Sequence, residues 1–253
     1  VFEKVNTGGV TLTVFELMTA TYAASAHDFN LRADSDARRA RMTDKHLVLK
    51  AVDGTSFLTA VTLLASYRRS LGTKAAVGCK RADVLRLELD EFEQLQAPVE
   101  KGFRMAAELL AEQGIYDTKA LPYATQLIPL AAICAQLGSQ VTQHGTKQRL
   151  LRWYWSGVFG EQYGGANETR FAMDLPDVVQ WAADGPEPRT VRAANFAPTR
   201  LLSLQTRQSA AYKGLAALLM KLGGRDFISG MPIDINTYFS NAIDIHHIFP
   251  RAW

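Results

Sequence analysis

Asp244-Ile245-His246-His247-Ile248-Phe249-Pro250 is the segment of this chain whose residue types and spacing fit a reaction mechanism. Neighbouring side chains on an extended strand point to opposite faces, so His246 and His247 present their imidazoles to different surroundings. One can ligate a metal while the other takes a proton from water. Metal-assisted phosphodiester cleavage needs that division: a cation to stabilise charge on the phosphate and leaving oxygen, and a base to activate water. Taken alone, a His-His pair is more often a surface or structural pair. The flanking Asp, Ile, Phe and Pro give this one its specificity.

At the other end, Asn6-Thr7-Gly8-Gly9 reads as a tight turn, because Asn and Gly tolerate the positive φ that such a reversal needs. Its backbone N–H groups at Asn6, Gly8 and Gly9 could border a phosphate, although a Gly-Gly turn is more often only a turn. A helix over 14–25 should follow: Thr13 and Glu16 have capping-box spacing, and Leu12 and Leu17 are placed for a hydrophobic staple.

The elements between these two ends read as helices. Apolar residues recur at three-to-four spacing near 34–51, 55–71, 90–113, 122–137, 145–160, 170–183 and 207–222, and strand-like alternation is scarce. Breakers separate these stretches at Gly54, Gly72, Gly114, Pro122, Gly138, Gly164-Gly165, Gly185-Pro186 and Gly223-Gly224. Pro122 suits a first helical position, and Gly185-Pro186-Glu187-Pro188-Arg189 is the best internal linker candidate. The expected fold class is mainly α, with helix exceeding half of all residues and without internal repeats.

Composition bounds the remaining readings. A chain of 253 residues, 47% hydrophobic and 21% charged, is long enough to bury a sizeable core. A net charge of +3 is mild, so any affinity for DNA must come from local patches. No stretch approaches a membrane span and no signal segment opens the chain. Cys79 and Cys134 lack zinc-site spacing, and a reduced, cytoplasmic setting is the simpler expectation. The absence of an initial Met and the end at Trp253, six residues after His247, suggest a fragment. Arg38, Arg39, Arg41, Lys45 and Lys50 form a basic stretch, with Arg68-Arg69, Arg149 and Arg152 adding others. Such clusters can track phosphates, but solvated helix faces have the same appearance. Trp153, Tyr154, Trp155 and Phe159 have the spacing of a buried aromatic stripe. His27, His46 and His144 lack partner spacing and read as surface histidines.

The heptapeptide at 244–250 strongly resembles the first strand of HNH (ββα-metal) nucleases. That resemblance implies a catalytic base at His247, a metal ligand at His246 and an orienting carboxylate at Asp244. Phe2-Glu3-Lys4-Val5-Asn6-Thr7-Gly8-Gly9 with Leu12 and Glu16 looks like the closing segment of the ParB-like domain of GmrSD and SspE-type modification-dependent restriction proteins. Tyr163-Gly164-Gly165-Ala166-Asn167-Glu168-Thr169 and Asp226-Phe227 look like their helical middle. The implied organisation is the end of a ParB-like NTP-binding domain at 1–12, a helical domain at 13–240 and the start of a truncated HNH domain at 241–253. The implied activity is that of a Mg²⁺-dependent (or other divalent-cation) DNA endonuclease of antiviral defence, type IV-like, acting on foreign or modified DNA, with NTP bound upstream. The family's upstream nucleotide motif is absent here. So are the central Asn and the further His or Asn ligand, so this chain alone is expected not to cut DNA. The alternatives are a non-catalytic helical relay and a DNA-binding scaffold.

Overall fold

The computed structural model describes residues 12–240 apart from 26–28, 74 and 205. Of these residues 69% are helical, and no strand is formed among them. The expectation of a mainly α chain holds.

The first helix, α1 (Val14–Ser25), starts as its sequence dictates. The Thr13 N–H donates to the Glu16 carboxylate at 2.7 Å, and the Glu16 N–H donates to Thr13 Oγ1 at 3.2 Å, so two orphan donors are satisfied reciprocally. Leu17 is buried while Leu12 remains 39% exposed. The expected 34–51 helix is instead two pieces. Helix α2 (Leu31–Lys45) is capped by Asn30, which accepts from the Ala33 N–H at 3.0 Å. His46 then adopts an extended conformation, and a 3₁₀ turn follows over Leu47–Ala51. That break buries Val48 and Leu49, which a straight continuation of the exposed α2 would have carried round the helix.

Helix α3 (Gly54–Gly72) is capped by Asp53, and a short α4 (Arg81–Val84) leads into α5 (Leu89–Ala111). Helix α6 (Leu127–Leu137) is apolar all round and buried from Leu127 to Cys134, as a helix at the centre of a core must be. It packs on α3, α5 and α8 (Glu168–Ala182). Gly102 makes the α5–α6 contact: a Cβ there would lie 2.2 Å from the Ala131 carbonyl oxygen. Pro122 is not the first helical residue; a 3₁₀ turn begins only at Ala124 and α6 at Leu127.

Helix α7 (His144–Phe159) buries Trp153 and Tyr154 completely, while Trp155 and Phe159 of the expected aromatic stripe are half-buried. The 185–189 segment is no linker. Gly185 donates to the Gln180 carbonyl at 2.8 Å, Glu187 pairs with Arg152 at 2.7 Å, and α9 (Arg189–Arg192) buries Thr190 and Val191. Its prolines instead turn the chain tightly back onto α7 and α8. A short α10 (Arg200–Ser203) precedes α11 (Ala210–Lys221), which Ser209 caps. Small residues let α11 approach α7 closely: a Cβ on Gly214 would meet Val158 Cγ1 at 2.8 Å. The last described helix is α12 (Ile235–Ser240).

Candidate functional site

Asp244, His246 and His247 lie outside the described residues, as do Asn6, Gly8 and Gly9. The elements leading toward Asp244 are described. Helix α11 stops at Lys221 because Gly223 takes the left-handed conformation, φ 87°, which costs a glycine little. The Gly223 N–H then donates to the Met220 carbonyl and the Gly224 N–H to the Leu219 carbonyl, at 3.0 and 3.1 Å, which closes the helix end. The chain reverses through an antiparallel bridge between Arg225 and Pro232. Inside that reversal Asp226 Oδ1 accepts from the Ser229 N–H at 2.7 Å and from the Ile228 N–H at 3.2 Å. These bonds favour its ionised form and lower its pKa.

Asp234 starts α12 by accepting from the Thr237 N–H at 2.8 Å. Tyr238 fixes that helix to the body: its hydroxyl donates to Asp117 at 3.1 Å, and its ring meets Tyr116 edge-on at 5.4 Å. Burial and the Asp117 carboxylate push the Tyr238 pKa up to about 12.

Between α11, the 114–121 loop and the 223–238 segment lies a cleft of about 770 Å³. Its walls are mostly apolar, with Leu219 and Met220 of α11 among them, and two tyrosines, Tyr212 and Tyr238, contribute. Lys119, Arg207, Lys213 and Arg225 also line it, and among the described residues no carboxylate does. The half-buried Lys213 donates from Nζ to the Leu121 carbonyl at 3.3 Å, and Arg225 Nη1 donates to the Gly230 carbonyl at 3.1 Å. The sequence reading missed this cleft, since its cations come from three separate segments. The pairing of α11's small face with α7 was the available signal, because it leaves the Leu219 and Met220 face elsewhere.

Most arginines of the basic stretches singled out from sequence have other partners. Arg38 is 2% exposed. It donates to Asp34 and, at 2.8 Å, to Gln96, and its guanidinium lies 3.9 Å from the centre of the Phe57 ring. Burial lowers its pKa, and Asp34 and Glu100 oppose that shift. It is thus neither a phosphate contact nor part of a solvated face. Arg41 pairs with Glu100 at 2.8 Å, Arg69 with Glu91, Arg149 with Asp184 at 2.5 Å and Arg152 with Glu187. Arg68 donates to Gln136 at 3.1 Å.

A second polar cluster lies inside the core. The Asp174 carboxylate, 1% exposed, accepts from the hydroxyls of Tyr163 and Thr190. Burial raises its pKa, while those two hydrogen bonds, the nearby Trp153 indole and Arg170 oppose the rise. The Trp153 N–H influences Asp174 electrostatically but makes no hydrogen bond of good geometry. Asn167 donates to the Tyr163 carbonyl at 3.0 Å and is itself buried, so the 163–169 segment is built into this cluster. Cys79 and Cys134 are free and buried, and burial pushes both thiols up to about 12, away from the thiolate form that reacts. His46 is half-buried and His144 exposed, while His27 lies outside the described residues. Among the described residues no group of three or more His, Cys, Asp or Glu could hold a metal ion. No helix among them is long and apolar enough to cross a membrane.

No family model matches the chain. An uncharacterized protein of Methanocaldococcus jannaschii is 30% identical over 110 residues, a match covering 42% of this chain and 18% of that relative. The chain therefore spans under a fifth of the relative's length.

Proposed function

We propose that this chain is part of a metal-dependent DNA endonuclease of the GmrSD and SspE type, acting in restriction of foreign or modified DNA. The observation that carries the reading is Asp244-Ile245-His246-His247-Ile248-Phe249-Pro250, taken as the first strand of an HNH site. The mainly helical body before it is consistent with the helical middle of such proteins. In this reading 1–12 closes a ParB-like domain that binds NTP through a site upstream, and 241–253 opens the nuclease domain.

His246 would hold the divalent cation, with Asp244 orienting the ligand sphere. The cation, when bound, supplies charge compensation for the phosphate and the leaving oxygen. His247 accepts the proton of the attacking water, a role that needs its neutral imidazole near pH 7. The basic stretches favour this reading over a DNA-binding scaffold: Arg38, Arg41, Arg69, Arg149 and Arg152 are engaged by carboxylates of the body, which leaves them less charge for phosphates.

The test uses a protein carrying this chain and a complete HNH finger. His247→Ala should lower the DNA cleavage rate by at least about 100-fold, the low end for loss of a general base, with Mg²⁺ affinity retained. His246→Ala should weaken the Mg²⁺ affinity itself. Cleavage by the His247→Ala protein at a rate near wild type would overturn the assignment of the base.

A further inference from the structure

We infer that the cleft lined by α11 and the 223–238 segment is a binding site for a nucleoside phosphate, built from residues other than those of the 244–250 motif. Charge is the first argument. Lys119, Lys213 and Arg225 line one concave surface, and among the described residues no carboxylate lines it. In the body Arg38, Arg41, Arg69, Arg149 and Arg152 each have a carboxylate partner, whereas Lys119, Lys213 and Arg225 make no ion pair among the described residues. The carboxylates nearest in sequence, Asp117, Asp226 and Asp234, accept hydrogen bonds from Tyr238 and from backbone N–H groups of their own turns, and none of them forms an ion pair with Lys119, Lys213 or Arg225. Cations gathered on one concave surface attract an anion, and more than one negative charge suits such a site best.

The walls decide what carries that charge. Tyr212 and Tyr238 stand beside the aliphatic faces of Leu219 and Met220, an apolar lining that would repel a bare phosphate but accept a flat, weakly polar ring. A volume of about 770 Å³ is within the range of small-molecule pockets, roughly 300–1,000 Å³. Two features hold the site in shape before any ligand arrives. Lys213 Nζ is tied to the Leu121 carbonyl with two ammonium protons to spare, and Gly223 turns the chain so that Arg225 returns beside α11.

The probe is a fluorescent ADP analogue titrated into the 253-residue chain in EDTA, so that no metal site contributes. Saturable binding is expected. Lys213→Glu should weaken it at least about tenfold, the loss expected when one charge-assisted contact is removed. Arg39→Glu, an equal charge change on exposed α2, should leave it within about twofold. Lys119→Gln supplies a milder second variant should Lys213→Glu unfold, and far-UV circular dichroism checks each fold. Unlabelled ADP should displace the probe, and inorganic phosphate should do so only at much higher concentration. Absence of saturable binding would overturn the proposal. So would equal weakening by Arg39→Glu and Lys213→Glu, or displacement by palmitate or a deoxythymidine decamer in preference to ADP. His247→Ala should leave this binding unchanged, so failure here and failure of the nuclease reading are separable.

Discussion

The stretch from Val14 to about Ala194 and the stretch from Arg200 to Ser240 solve the same helical problem in different ways. In the first, charge is neutralised locally and large apolar groups are buried; among the described residues Leu12 and Leu71 are the only large apolar side chains left exposed before position 200. In the second, Leu201, Leu202, Leu222, Phe227, Ile228 and Met231 face solvent, and the described lining of the cleft holds cations and no carboxylate. The first region spends its polar residues on stability, as the Arg38 and Asp174 clusters illustrate. The second leaves large apolar side chains in solvent, the arrangement expected of a surface that meets something else.

The sharpest way to break this comparison is Arg38→Ala. It removes a buried guanidinium wedged over Phe57 and leaves Asp34 and the mostly buried Glu100 with weaker compensation. Loss of one partner of a buried ion cluster typically costs about 3–5 kcal/mol. Arg41 and Arg104 still reach Glu100 at 2.8 and 3.6 Å, which favours the lower end of that range. Urea unfolding showing a loss below about 1 kcal/mol would mean that the body does not depend on its internal charges.

A smaller effect should appear in the pH dependence of stability. Burial raises the pKa of Asp174, so the folded protein keeps a proton at pH values where the unfolded chain has released it. Its stabilising contribution is fully present below the ordinary carboxyl value of 3.8 and is lost as pH rises through the raised value. Asp174→Asn should therefore flatten the decline in urea midpoint with rising pH in that window. An unchanged slope would show that the Tyr163 and Thr190 hydroxyls offset burial completely.

The smallest effect belongs to the C-terminal stretch. Ile228 is 94% exposed, and Ile228→Ser should change stability by no more than about 0.5 kcal/mol. A loss of 2 kcal/mol or more would mean that this apolar surface is covered in solution, and the contrast between the two regions would need redrawing.

Much of the helical order was legible in the residues themselves. The Thr13–Glu16 box is a local device that acts over three residues, and the apolar α6 could only be central, because a helix without a polar face has nowhere else to go. The motif at 244–250 is equally local, and its reading rests on sequence throughout. Other features depended on partners distant in the chain. Nothing at 38–50 announces that Arg38 will sit over Phe57 and reach Glu100, because a buried arginine and a solvated one have the same neighbours in sequence. The prolines of 185–189 have a linker's composition, yet the segment is held by Arg152 and by the burial of Thr190 and Val191. The cleft cations come from the loop after α5, from α11 and its approach, and from the turn after Gly224, so only the packing of α11 on α7 and of Tyr238 on Tyr116 brings them to one surface. Local periodicity thus determined which segments are helices, while long-range burial and charge pairing decided which of their polar groups remained available for a ligand.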